Sequence, residues 1–158
     1  MLRRLVVRPL LLLLAASQPA LAGTDTDQLT VTATVQSGCS LTGGSLSFGE
    51  YTSGQASDLD AVGTISYVNC SGTLTFALDG GLSGNVSARQ MRSGANRLSY
   101  QLYRNSTRNA IWGSGADAHG VILLTPQSGS IQVFGRVLRS QTVPDGVYTD
   151  TVTITLTF

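Results

Sequence analysis

The stretch "VYTDTVTITLTF" (147–158) sets Tyr148, Val152, Ile154, Leu156 and Phe158 on one face and threonines at 149, 151, 153, 155 and 157 on the other. A period of two describes a strand buried on one side. A slip of one residue would reverse both faces, so its register is strongly specified. "QLTVTATVQ" (28–36) repeats the pattern, with Leu29, Val31, Ala33 and Val35 opposed to Thr30, Thr32, Thr34 and Gln36. Between these two lie more short alternating runs: "SLSFGEY" (45–51), "GTISYVNC" (63–70), "GTLTFALD" (72–79), "RLSYQLYR" (97–104), "GVILLTP" (120–126) and "SIQVFGRVLR" (130–139). Glycine-rich "GGLSGN" (80–85), the polar loop 105–119 and "PDG" (144–146) punctuate them. Nothing reads as a helix of three or more turns. Many short strands with turn signals between them predict an all-β sandwich.

Residues 1–22 stand apart from that pattern. Arg3, Arg4 and Arg8 precede an apolar run from Leu10 to Ala16, and Ala20-Leu21-Ala22 has the form of a cleavage site. This is the layout of a secretory signal peptide cut before Gly23, with an apolar run too short to span a bilayer. No later stretch is long or apolar enough to be a transmembrane segment. What remains suits one domain with a real core.

All ten basic residues are arginines, against nine acids, and loss of the three leader arginines makes the balance weakly acidic. That argues against nucleic acid, whose phosphates need a clustered basic face. Arg89, Arg92, Arg97, Arg104 and Arg108 gather in a short span but read as a solvated face. Cys39 and Cys70 are the two cysteines of the chain. An exported chain with an even count favours one disulfide, joining the first strand of the domain to a neighbour.

Signals for chemistry are weak. The single histidine, His119, sits beside Asp117 in a glycine-rich stretch, and Ser114 lies in no nucleophile-elbow pattern. His119 therefore reads as a polar loop residue. Glu50 and the scattered aspartates give no paired-carboxylate site. "DGGLSGN" lacks the lysine and helix of a phosphate cradle, and Asp58 with Asp60 lacks the ligand density of a calcium loop. Asn69, Asn85 and Asn105 begin N-x-[ST] triplets of little weight. Trp112 reads as a core or edge plug ahead of a sugar-stacking platform. No enzyme, metal or cofactor is expected.

Several motifs recur together in order: "VTATVQSGCSL", "FGEY" at 48–51, "ISYVNC", Arg89 with Met91, "LSYQLY" at 98–103, "WG" at 112–113 and the closing "PDGVYTDTVTITLTF". In these the chain resembles the spore coat protein U domain family, which includes subunits of archaic chaperone–usher pili. The resemblance implies an immunoglobulin-like β-sandwich lacking its final strand and completed by a strand from a neighbour. It divides the chain into a leader (1–22), a donor-strand extension (23–37) and a pilin-like domain (38–158). Leu29, Val31, Ala33 and Val35 are then the donor residues, and Val152, Ile154, Leu156 and Phe158 line the acceptor groove and the chaperone-docking edge. The implied partners are a periplasmic chaperone, an outer-membrane usher and neighbouring subunits. The implied route runs through the periplasm to the cell surface, in the service of adhesion and biofilm formation. Two alternatives are a monomeric sugar-binding sandwich using Trp112 and the 105–119 loop, and a spore or cell-coat structural protein.

Overall fold

The computed structural model describes residues 28–34 and 38–158. The chain separates into two compact units, with the boundary between Thr34 and Val35. In the first, residues 28–34 carry no regular element, and Leu29 (88 %) and Val31 (82 %) are exposed. An extended segment becomes a strand only where a second strand takes up its backbone groups. Val35 and Gln36, and the whole of the leader, lie outside the described residues.

The second unit is built from six strands: β1 (Ser40–Thr42), β2 (Leu59–Leu78), β3 (Arg89–Ser93), β4 (Asn96–Tyr103), β5 (His119–Val137) and β6 (Ile154–Thr157). Two short 3-10 turns, Gly81–Ser83 and Gly115–Asp117, are the only helical pieces among the described residues. All pairings are antiparallel, in the order β1-β2-β5-β4-β3, with β6 on β2. The all-β expectation is therefore met.

The strand boundaries differ from those read in the sequence. Runs 63–70 and 72–79 are one strand, β2, and runs 120–126 and 130–139 are one strand, β5. The β2–β5 register shifts between Tyr67 and Cys70 and again between Cys70 and Gly72. Asn69 (φ 52°) and Gly72 (φ 85°) adopt left-handed backbone there. Such bulges bend a strand and add twist without ending it. The first half of β2 (Leu59–Tyr67) pairs with Gly129–Val137 of β5, while its second half pairs with His119–Leu123 and with β6. Two long, bent strands thus run through the molecule, and the sheet curls around one core.

That core follows the alternation. Ile65, Tyr67, Leu74, Phe76 and Leu78 of β2 are buried, as are Leu98, Tyr100 and Leu102 of β4 and Val133 and Val137 of β5. Each large apolar side chain removed from water contributes about 1.5–3 kcal/mol. The register change at the bulge keeps the apolar face inward in both halves of β2. Cys39 and Cys70 form a disulfide that ties the residue before β1 to β2, and no free cysteine remains.

Candidate functional site: an open apolar groove

Two segments read as strands carry little or no ladder, and both border the same space. Residues 45–51 form no strand, and of 147–158 only β6 does so. Between 44–53 on one side and 143–154 on the other lies a groove of about 960 Å³. Ile65, Leu98, Tyr100, Leu102, Val133 and Val137 form its floor; Leu46, Phe48, Val143, Tyr148, Val152 and Ile154 add apolar walls. One side of the hydrophobic core, its floor residues themselves buried, therefore faces this groove.

Close approach of backbone holds the first wall. A Cβ at Gly63 of β2 would lie 2.9 Å from the Ser45 carbonyl and 3.0 Å from the Leu46 Cβ. A Cβ at Gly135 of β5 would lie 2.7 Å from the Phe48 ring. The two glycines leave room for residues 45–48 to pass directly over the sheet. Phe48 then meets Tyr100 edge-on, with ring centroids 6.0 Å apart, a favoured aromatic geometry.

The second wall is held from behind. Arg92 N–H donates to the Thr149 carbonyl (2.8 Å) and Thr149 N–H to the Arg92 carbonyl (3.0 Å). Asp79 N–H donates to the Thr153 carbonyl (3.1 Å), while the Asp79 carboxylate accepts Thr153 N–H (2.9 Å). Among the described residues no backbone hydrogen bond joins 44–53 to 143–153. One end of the groove is closed: Tyr51 hydroxyl accepts Gln141 N–H (2.9 Å) and donates to the Leu138 carbonyl (3.1 Å), and Ser53 Oγ accepts Val143 N–H (3.0 Å). The two walls are thus joined at one end and, among the described residues, share no backbone hydrogen bond along the rest of their length.

Beneath the second wall lies a buried polar cluster. Arg89 is fully buried. Its guanidinium donates to the carbonyls of Asp79 (2.7 and 2.9 Å) and Trp112 (2.7 Å) and to Gln101 Oε1 (2.6 Å). Gln101 in turn donates to the Val86 carbonyl (2.9 Å). Burial pulls the Arg89 pKa down, against the field of nearby Tyr100, Asp79 and Asp150. Tyr100 hydroxyl donates to Asp150 (2.7 Å), and burial together with that bond pushes its pKa well above the usual phenol range. Burial raises the Asp79 carboxyl, but hydrogen bonds from Thr153 and Gly81 outweigh it and leave the pKa lowered.

The residues singled out in the sequence fall in different places. Val152 and Ile154 line the groove. Leu156 packs half-buried against the core and is not among the lining residues, and Phe158 is 60 % exposed. Leu29, Val31 and Ala33 belong to the other unit. The groove residues from Leu46 to Tyr51 went unrecognised as a site, because their alternation resembles any half-buried strand.

Three other readings change or sharpen. Arg89 is no part of a solvated arginine face; it sits in β3 with its charge turned inward. His119 opens β5 instead of lying in a loop, half-buried with its ring 5.3 Å from that of Trp112. Burial, and then the Arg104 charge, lower its pKa. Trp112 is the core plug expected, with Nε1 donating to the Phe76 carbonyl (2.8 Å). Full burial leaves no indole face for a sugar. Among the described residues no group of three or more His, Cys, Asp or Glu is placed to hold a metal ion.

Comparison with known proteins bears on this architecture. Protein U of Myxococcus xanthus is 39 % identical over 168 residues, spanning 92 % of this chain and 91 % of that protein. Among solved structures, a chain of the CsuC–CsuE chaperone–tip adhesion subunit pre-assembly complex, from archaic chaperone-usher Csu pili of Acinetobacter baumannii, superposes with TM-score 0.50 at 24 % identity. That match covers 76 % of this chain but 39 % of the other, so this chain spans about two-fifths of that length. A chaperone-usher pilus whose structure addresses rod uncoiling also matches at TM-score 0.50 and 18 % identity, over 91 % of this chain and 99 % of that one. These likenesses concern the fold, which is immunoglobulin-like. The Spore Coat Protein U domain model matches residues 25–155, and the chain belongs to that family.

Proposed function

We propose that this chain is the structural subunit of a surface pilus, assembled by the chaperone–usher route through donor-strand exchange. The observation that carries the reading is the groove: an apolar channel over the core between two walls that, among the described residues, share no backbone hydrogen bond. Residues 28–36 of one copy supply the missing strand of the next, with Leu29, Val31, Ala33 and Val35 turned inward. Nine extended residues span about 30 Å, and burying three or four aliphatic side chains contributes very roughly 5–8 kcal/mol. Ladder hydrogen bonds satisfy the exposed wall at the same time. Head-to-tail addition without ring closure yields a filament.

On this reading residues 1–22 direct export and 23–37 form the extension. A periplasmic chaperone covers the groove until an outer-membrane usher passes the subunit on, and the filament serves adhesion and biofilm formation at the cell surface. Likeness to a chaperone–subunit complex and to a pilus supports the choice of partners. A coat-forming role is the second reading, favoured by the match to the Spore Coat Protein U domain model; it uses the same strand exchange in a different assembly. Sizing of the exported protein under SDS tests polymerisation. Ladders that collapse on boiling support the proposal, and a monomer at every concentration contradicts it.

A further inference from the structure

On the inward face of the segment forming the second wall, the side chains in turn are Tyr148, Asp150, Val152, Ile154 and Leu156, all partly buried, while the threonines between them are exposed. Asp150 is the one charged member of that face. A carboxylate in an apolar face is costly unless hydrogen bonds compensate it. Here they do: Asp150 accepts Leu82 N–H (2.7 Å), Thr151 N–H (2.7 Å) and Tyr100 hydroxyl (2.7 Å). The fit extends to the turn beside it, since a Cβ at Gly81 (φ 59°) would overlap the carboxylate.

These bonds link the groove from side to side. Asp150 belongs to the second wall, Tyr100 to the floor and Phe48, in edge contact with Tyr100, to the first wall. Among the described residues, the backbone of 143–153 is tied to β3 by the Arg92–Thr149 bridge and to Asp79, the residue after β2, through Thr153. We infer that Asp150 is the positioning residue that presets the acceptor edge, fixing wall and groove width before a donor strand arrives. This rests on the donor-strand reading above. Presetting the edge removes an ordering cost from each addition, so its loss weakens donor binding more than it weakens the fold.

The test uses the exported full chain, a fluorescent synthetic peptide with the sequence of residues 26–36, and amide exchange in β4 as an independent report on the core. Asp150→Ala should lower peptide affinity by about tenfold or more while β4 protection changes little. Asp117→Ala, at an exposed carboxylate outside the groove lining, should stay within about twofold of wild type. Asp150→Asn keeps an acceptor for Leu82 N–H and should recover part of the loss. Tyr100→Phe keeps the ring against Phe48, deletes the hydroxyl and should bind several-fold more weakly. Wild-type affinity in Asp150→Ala overturns the inference and leaves strand exchange standing; failure of the wild-type chain to bind the peptide overturns both. Should Asp150→Ala not fold, unchanged affinity in both Asp150→Asn and Tyr100→Phe overturns the inference.

Discussion

Arg89 shows how a residue read as part of a solvated face can be fully buried. Sequence separates it from four other arginines by strand-length intervals, which suits an exposed face. The structure turns it inward to carbonyls of Asp79 and Trp112, groups contributed by the chain ends beyond β2 and before β5. Only tertiary proximity reveals those acceptors, so no local pattern announces the site. Arg89→Met keeps much of the volume but orphans buried carbonyls, and each such group costs about 1–3 kcal/mol. Chemical denaturation should find the variant less stable by about 3 kcal/mol; a loss near zero would mean that water replaces the guanidinium freely. Tyr100 adds a pH dependence. Its folded pKa lies above the ordinary phenol value of about 10, so its contribution is complete below that pH and is lost as pH rises further, because the unfolded chain releases the proton first. Stability of the wild type should therefore fall above that pH, and Tyr100→Phe should flatten part of the fall. An unchanged alkaline slope in Tyr100→Phe would assign the loss to other groups.

Among elements, the alternating runs in β2, β4, β5 and β6 were legible because a period of two with apolar residues on one face depends on neighbouring residues alone. The joining of two runs into β2, or into β5, was not. Asn69 and Gly72 flank the junction of the two runs, and a bulge uses the same left-handed backbone as a turn. Residues 45–51 were misread as a strand for a related reason: alternation reports a half-buried face, and a wall of a groove has one without a ladder. The Cys39–Cys70 bridge was expected from cysteine count and export. Labelling of unfolded, unreduced protein should find no free thiol, and two labelled thiols per chain would remove the bridge. Ser substitution at both positions should lower stability by about 2–4 kcal/mol. Gly63 tests how closely the first wall must approach. Gly63→Val places side-chain atoms where Ser45 and Leu46 already sit, and overpacking of this kind costs about 1–3 kcal/mol. The variant should melt earlier and bind the 26–36 peptide more weakly. A melting point and affinity equal to wild type would show that residues 45–48 shift without consequence.

At the scale of the whole molecule, the account rests on a division of labour between an open core and a segment outside it. Residues 28–36 alternate apolar and polar in sequence, but alternation cannot name a partner. The groove became visible only when two distant segments, 44–53 and 143–154, were seen to face each other without pairing. Val31→Asp separates folding from assembly. If Val31 fills another subunit's groove, a carboxylate there must leave the groove or take up a proton, at a cost of several kcal/mol. Thr32→Asp, on the opposite face of the same segment, serves as its control. The deciding measurement is the SDS-resistant ladder formed by each exported variant, read beside its disulfide and its chaperone-bound yield. The account predicts that Val31→Asp folds, closes the Cys39–Cys70 bridge and binds chaperone yet forms no ladder, while Thr32→Asp polymerises close to wild type; a normal ladder from Val31→Asp would contradict it.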